Sequence, residues 1–169
     1  YKMWFTGDGK YIFYSTSNDG LTWATPVKTI DSSNNPVGYS YSYVYNSCVL
    51  KEGNLYKCFY TGRCSVDSKY RILVAQSVDG ISWSAGKLIG DVNTIPNNLS
   101  VSQFAFPSVI KDGSAYKMWA QATDGSGTNR IYHAVLTMTD SANTGSSLTG
   151  VYPTMGSLNH APPANSQVV

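Results

Sequence analysis

Tyr56-Lys57-Cys58-Phe59-Tyr60-Thr61-Gly62, followed after a polar gap by Ser77-Val78-Asp79-Gly80-Ile81-Ser82-Trp83, decides how this chain is read. The same pair of segments stands earlier as Tyr1-Lys2-Met3-Trp4-Phe5-Thr6-Gly7 and Ser17-Asn18-Asp19-Gly20-Leu21-Thr22-Trp23. Its opening half returns as Tyr116-Lys117-Met118-Trp119-Ala120-Gln121-Ala122, without a closing Asp-Gly-x-x-Trp. Self-similarity at a fixed spacing marks repeated supersecondary units, none of which buries its apolar face alone. The sequence holds a little under three of them and enters the first partway through.

Within the second unit, Asn46–Leu50 is a short apolar run, Lys51–Asn54 a turn and Leu55–Thr61 a second strand. Lys69–Gln76 reads as a third strand, Asp79-Gly80 as a tight turn and Gly86–Ile89 as a short fourth strand. Asp-Gly between apolar runs is a strong hairpin signal. The third unit repeats the plan with Phe106–Ile110, a turn at Lys111–Ser114, Ala115–Gln121 and Arg130–Leu136. Four antiparallel strands per unit predict an all-β chain made of β-propeller blades. Solenoid repeats are shorter, and an immunoglobulin-like sandwich does not repeat internally. The expected organisation is a propeller portion over 1–150, with about three blades at 1–35, 36–95 and 96–150. Residues 137–150 read as loop, and 151–169 as an irregular tail rich in Ser, Thr, Asn and Pro.

Composition narrows the function classes. Only 13% of the 169 residues are charged and the net charge is +2, so nucleic-acid and membrane-surface partners lack electrostatic support. No apolar run is long enough for a membrane span. The absence of an initiator Met or signal peptide reads as a mature or truncated product. His133 and His160 are far apart, and Cys48, Cys58 and Cys64 lack metal-ligand spacing, so neither a metal nor a cofactor is expected. Cys48 and Cys58 flank a turn, which suits either a cross-strand bridge or free thiols.

The combination Pro107-Ser108-Val109-Ile110, Gly113 and Tyr116-Lys117-Met118-Trp119, with Ser-x-Asp-Gly-x-x-Trp at 17–23 and 77–83, resembles the five-bladed β-propellers. These include arabinanase/xylosidase and invertase/levanase-type glycoside hydrolases and mannoside phosphorylases. The resemblance covers roughly residues 1–136. The Asp-Gly segment is also similar to the sialidase Asp-box, with one residue fewer between Asp and Trp. The resemblance implies a carbohydrate partner, an extracellular or cell or virion surface setting, and ligands on the face where second-to-third-strand loops and interblade connections meet.

Glycoside hydrolysis uses two carboxyl groups flanking the scissile bond. Glu52, Asp112, Asp19 and Asp79 fall in turns on the opposite face and read as structural. The catalytic candidates are Asp8, Asp67 and Asp124 in second-to-third loops, with Asp31 and Asp91 near interblade connections. In the enzymes resembled, one catalytic Glu stands two residues before a Pro. Aligned on Pro107, that position is Ala105, and aligning Val49 with Val109 makes Tyr45 its counterpart in the preceding unit. The chain thus lacks a recognisable hydrolytic pair, and carboxylate-bearing blades are expected in flanking sequence if it hydrolyses.

What remains suits binding. Gly38–Tyr45 alternates with period two, so an extended run puts Tyr39, Tyr41, Tyr43 and Tyr45 on one side. Tyrosine combines an apolar ring with a hydroxyl, as sugar surfaces require. The same row equally suits a ladder covering a blade edge or a subunit contact. The expected ligand-binding residues are Tyr41, Tyr43, Tyr45, Asn46, Gln103, Phe104 and Phe106. Arg71 and Arg130 read as scaffold donors, and Trp4, Trp23, Trp83 and Trp119 as core. The reading is a glycan-recognising propeller portion without a complete catalytic pair; the alternatives are an active furanosidase or xylosidase/arabinanase-like hydrolase and a structural fibre or surface-assembly component. Incomplete units also predict completion of the ring by flanking blades or a second copy.

Overall fold

The computed structural model describes residues 1–36, 40–90, 101, 103–123, 125–140 and 148–156. The first unit forms β1 (Lys2–Gly7), β2 (Tyr11–Thr16) and β3 (Val27–Ile30), followed by one 3-10 turn at Ser32–Asn34. The second forms β4 (Tyr41–Glu52), β5 (Leu55–Cys64), β6 (Tyr70–Ser77) and β7 (Lys87–Gly90). The third forms β8 (Gln103–Asp112), β9 (Ala115–Thr123), β10 (Asn129–Asp140) and β11 (Leu148–Gly156). Strands β1 to β3 make a three-stranded sheet, and the other eight join into a second sheet. All pairings are antiparallel except a parallel link between β6 and β8 at Tyr70 and Gln103. The chain is therefore all-β, and β4–β7 and β8–β11 are four-stranded meanders. No helix among the described residues is long and apolar enough to cross a membrane.

One part differs from the sequence reading. Strand β10 runs on to Asp140, and β11 occupies Leu148–Gly156, where loop and tail were expected. Register pairs such as Val135 with Thr154 and Leu136 with Pro153 place β11 on the outer edge of β10. An edge strand tolerates proline and polar residues, which is why its composition resembles loop.

Strand β5 explains why the units must stack. It is buried on both faces, so its residues divide between two cores. Cys58 and Tyr60 join Ile12, Ile30, Tyr41, Val44 and Leu73 in the core shared with the first unit. Phe59 joins Ile72, Phe104, Val109, Met118 and Leu136 in the core shared with the third. The three cysteines are free thiols. Cys48 opposes Phe59 while Cys58 opposes Val49, and the Cys48 sulfur accepts the Val109 N–H at 3.3 Å.

The repeated residues make repeated contacts. In each closing turn the Asp carboxylate accepts two backbone N–H groups: Leu21 and Thr22 at 2.8 and 2.7 Å, and Ile81 and Ser82 at 2.7 and 2.8 Å. These bonds, with help from Ser17 and Ser77, lower both Asp19 and Asp79 to about 2. The following Gly20 and Gly80 sit at φ +79° and +81°, where a side chain would be strained. The Trp4 indole donates to the Gly80 carbonyl at 2.8 Å, tying the first unit to the second unit's turn.

A second repeated contact runs from lysine to tyrosine. Lys2 donates to the Tyr56 hydroxyl at 3.0 Å, and Lys57 donates to the Tyr116 hydroxyl at 2.5 Å. Lys51 and Lys111 stack on those same rings at 5.5 and 4.4 Å. The Lys57 side chain is fully buried, and Glu52 lies 3.4 Å away. Burial pushes the Glu52 carboxyl up, but hydrogen bonds from Lys111 and Tyr116 and the Lys57 charge outweigh it and hold it below the usual carboxylate range. Replacing Lys57 by Met would strip this cluster of its buried cation. The expected loss is on the order of 3 kcal/mol, at the low end for buried ion pairs because Glu52 keeps some water contact. Urea unfolding of Lys57→Met beside Lys2→Met checks this: the Lys2 change, at an exposed residue, should cost much less.

Candidate functional site

Strand direction places the start of β4, the end of β5 and the start of β6 at one end of the stack. The β4–β5 and β8–β9 turns, with Glu52 and Asp112, lie at the other. At the first end β4 is interrupted twice. Tyr41 opposes Cys64 and Tyr43 opposes Arg63, so Ser42 is an extra residue. One added residue reverses the side on which all later side chains emerge. Tyr41 therefore enters the core, 1% exposed, while Tyr43 and Tyr45 emerge on the other side. The expected four-tyrosine row is corrected to this pair; Tyr39 lies outside the described residues.

The second interruption is a bulge repeated in two units. Tyr45 opposes Thr61 and Cys48 opposes Phe59, leaving Asn46 and Ser47 across from Tyr60. In β8, Ala105 opposes Gln121 and Ser108 opposes Trp119, leaving Phe106 and Pro107 across from Ala120. Asn46 and Phe106 have φ of 54° and 59°, a left-handed conformation that Asn tolerates and Phe rarely adopts. Each bulge N–H donates at 2.9 Å to a threonine of the preceding unit, Asn46 to Thr6 and Phe106 to Thr61. The register thus makes Tyr45 and Ala105 equivalent, as the alignment of Val49 with Val109 expected.

Beside these bulges lies a cleft of about 460 Å³ lined by Thr6, Gly9, Tyr43, Tyr45, Asn46, Arg63 and Tyr70. Tyr45 packs edge-on against Tyr70 at 5.9 Å and against Phe106 at 6.4 Å, so Phe106 adjoins the cleft through Tyr45. Arg63 sits over the rings of Tyr43 and Tyr70, at 5.6 and 5.9 Å. The Lys10 ammonium lies 5.7 Å from the Tyr43 ring. Burial, then neighbouring Tyr70, pushes the Tyr45 hydroxyl well above the usual phenol range, so it stays a neutral hydrogen-bonding group.

Of the binding residues expected from sequence, the cleft brings together Tyr43, Tyr45 and Asn46. Phe104 does not join them: it is fully buried and forms core with Tyr132. Gln103 is half-buried in the link to β6. Arg63, Tyr70, Thr6 and Gly9 were not singled out by sequence reasoning. Arg63 and Tyr70 are a cross-strand pair flanking the β5–β6 loop, and Thr6 repeats as Thr61.

Two of the carboxylate candidates, Asp67 and Asp31, are engaged elsewhere. Asp67 takes two bonds from Arg71, at 3.1 and 2.6 Å, which with the Lys69 N–H hold it far below the usual carboxylate range. Arg130 stands in the register of Arg71, opposite Ala122 as Arg71 is opposite Gly62. Asp31 caps the 3-10 turn through the Ser33 N–H and pairs with Lys28 at 2.7 Å, which lowers it to about 2. Asp8 is exposed at φ 54° in the β1–β2 turn, next to Gly9. Asp91 and Asp124 lie outside the described residues. No carboxylate among the described residues lines the cleft.

No family profile matches the chain. An uncharacterized protein of Mycobacterium tuberculosis is 28% identical over 148 residues, covering 80% of this chain and 46% of that protein. Among solved structures, the α-L-arabinanase of Cellvibrio cellulosa complexed with arabinohexaose matches with TM-score 0.58 and 15% identity. An exo-1,5-α-L-arabinanase from a bovine ruminal metagenomic library matches with TM-score 0.62 and 12% identity. Each match covers 92% of this chain and 52% of the arabinanase, so the chain spans about half the length of the proteins it matches. The fold is that of these β-propeller arabinanases, of which this chain corresponds to about half.

The two tyrosines separated by Ser42 should behave oppositely. Tyr41→Ala empties a buried ring site and should cost roughly 3–5 kcal/mol. Tyr43→Ala trims a cleft wall and should leave the melting temperature within a few degrees of the parent. Thermal melts of both variants check the assignment.

Proposed function

We propose that this chain is a carbohydrate-recognising part of a β-propeller related to glycoside hydrolases, holding glycan in the Tyr43–Tyr45–Tyr70 cleft without a complete catalytic pair of its own. The observation that carries the reading is an aromatic cleft beside the positions that resemble catalytic sites, with Tyr45 and Ala105 standing there and no carboxylate among the described lining residues. Tyrosine rings suit the C–H faces of sugars, while Asn46, Thr6 and the phenol hydroxyls suit their OH rims. The units are read as blades: β1–β3 part of one, β4–β7 and β8–β11 one each. An extracellular or surface setting accords with polymeric glycan as ligand.

A hydrolytic reading draws on the arabinanases whose fold the chain shares. Its acids would come from Asp8 or from blades beyond the half that matches. Activity on aryl furanosides, aryl xylosides and polysaccharides, measured beside glycan-array binding, separates the two readings. Binding without turnover is expected, and Tyr43→Ala should weaken it about ten-fold. Turnover lost in Asp8→Asn would instead establish hydrolysis.

The trailing face of the third unit calls for a neighbour. Lys117, Trp119 and Gln121 stand in the register of Lys57, Phe59 and Thr61, which the third unit covers in the second. Ile110 and Ile131 are 49% and 60% exposed. Such a face suits a further blade, from a longer protein or a second copy. If a second copy covers it, sedimentation of the 169-residue chain should show a species larger than a monomer; a monomer with full glycan affinity would discard the second copy and leave the longer protein.

A further inference from the structure

Two arginines stand near the same end of the second unit, one residue apart in register, with opposite surroundings. Arg71 is neutralised by a two-pronged bond to Asp67. Arg63 is half-buried, lines the cleft and has no carboxylate partner among the described residues. Tyr43 and Tyr70 carry its guanidinium on their rings. Aromatic faces fix a planar guanidinium without using up its N–H donors, leaving the fork ready for an acceptor. Lys10 adds a second cation at the Tyr43 ring. The nearest acid in sequence to the lining, Asp8, is exposed and forms no ion pair with either cation. A cleft lined by one cation, with a second beside it and no lining carboxylate among the described residues, favours a ligand that brings the missing negative charge.

From this we infer that the cleft selects glycans bearing an anionic group, a uronate carboxylate or a sulfate ester, with the anion on Arg63 and the sugar ring against Tyr43 and Tyr45. The inference rests on the glycan-binding reading and names its ligand class. A guanidinium fork matches two oxygens of a carboxylate or sulfate in parallel hydrogen bonds, which an ammonium cannot do. A neutral sugar would leave the cation without a counter-charge. Asn46 and Thr6 remain for neighbouring hydroxyls.

The test uses matched pairs in titration calorimetry with the full chain: tetragalacturonate against its fully methyl-esterified form, and a carrageenan tetrasaccharide against its desulfated form. At least one charged member should bind about ten-fold or more tightly than its neutral partner, and the advantage should shrink as salt rises. The pair that shows it distinguishes carboxylate from sulfate. Arg63→Gln should reduce the preference to within about three-fold, and Arg63→Lys, which keeps charge but loses the fork, should recover only part of it. Thermal melting of both variants confirms that they are folded. Equal binding of charged and neutral partners by the parent, or an undiminished preference in folded Arg63→Gln, overturns the inference while leaving glycan recognition standing. Failure of the parent to bind any glycan, charged or neutral, on an array overturns both.

Discussion

A single hydrogen bond, from a bulged backbone N–H to a threonine of the preceding unit, fixes the relation between the stack and its cleft. Thr6 takes it from Asn46, and Thr61 takes it from Phe106. The bulge forces a left-handed residue into a strand, a conformation that persists only where its surroundings hold it. Here the neighbouring unit holds it. The strand cannot relax to regular pairing without breaking the contact that registers one unit on the next. Stacking and site geometry are therefore one constraint.

The consequence appears in what each bulge presents. In the second unit Asn46 lies beside Tyr45 and Tyr70 and lines the open cleft. In the third, the equivalent residue is Phe106, which closes against Tyr45. The same backbone device thus supplies a polar group in one unit and an aromatic wall in the next. At the opposite end, Lys57, Glu52, Lys111 and Tyr116 concentrate charge into a partly buried cluster. The polar contacts at both ends enclose an apolar middle built from β5 and its neighbours.

Much of this was legible in the sequence, for definable reasons. Repetition exposed the strands and turns, and Asp-Gly exposed both closing turns, whose carboxylates accept the expected backbone N–H groups. Asp31 and Asp67, read as catalytic candidates, instead pair with Lys28 and Arg71, three and four residues away, a local engagement that loop position alone does not disclose. The tyrosine row misled because periodicity cannot register an inserted residue: Ser42 sends Tyr41 into the core. Arg63 and Tyr70 escaped notice because strand ends beside a polar loop carry no apolar rhythm. The strand at Leu148–Gly156 was missed because edge strands tolerate a loop-like composition.

The lysine-to-tyrosine contact has a direction. The second unit receives an ammonium from the first and gives one to the third, Lys2 to Tyr56 and Lys57 to Tyr116. Turned end for end, two units would oppose lysine to lysine or phenol to phenol, and the match would be lost. The sequence of units is thus encoded by polarity, while the oily filling between them is free to drift, as Met3 and Trp4 give way to Cys58 and Phe59. Duplication of one such unit would generate a correctly oriented neighbour without any new invention.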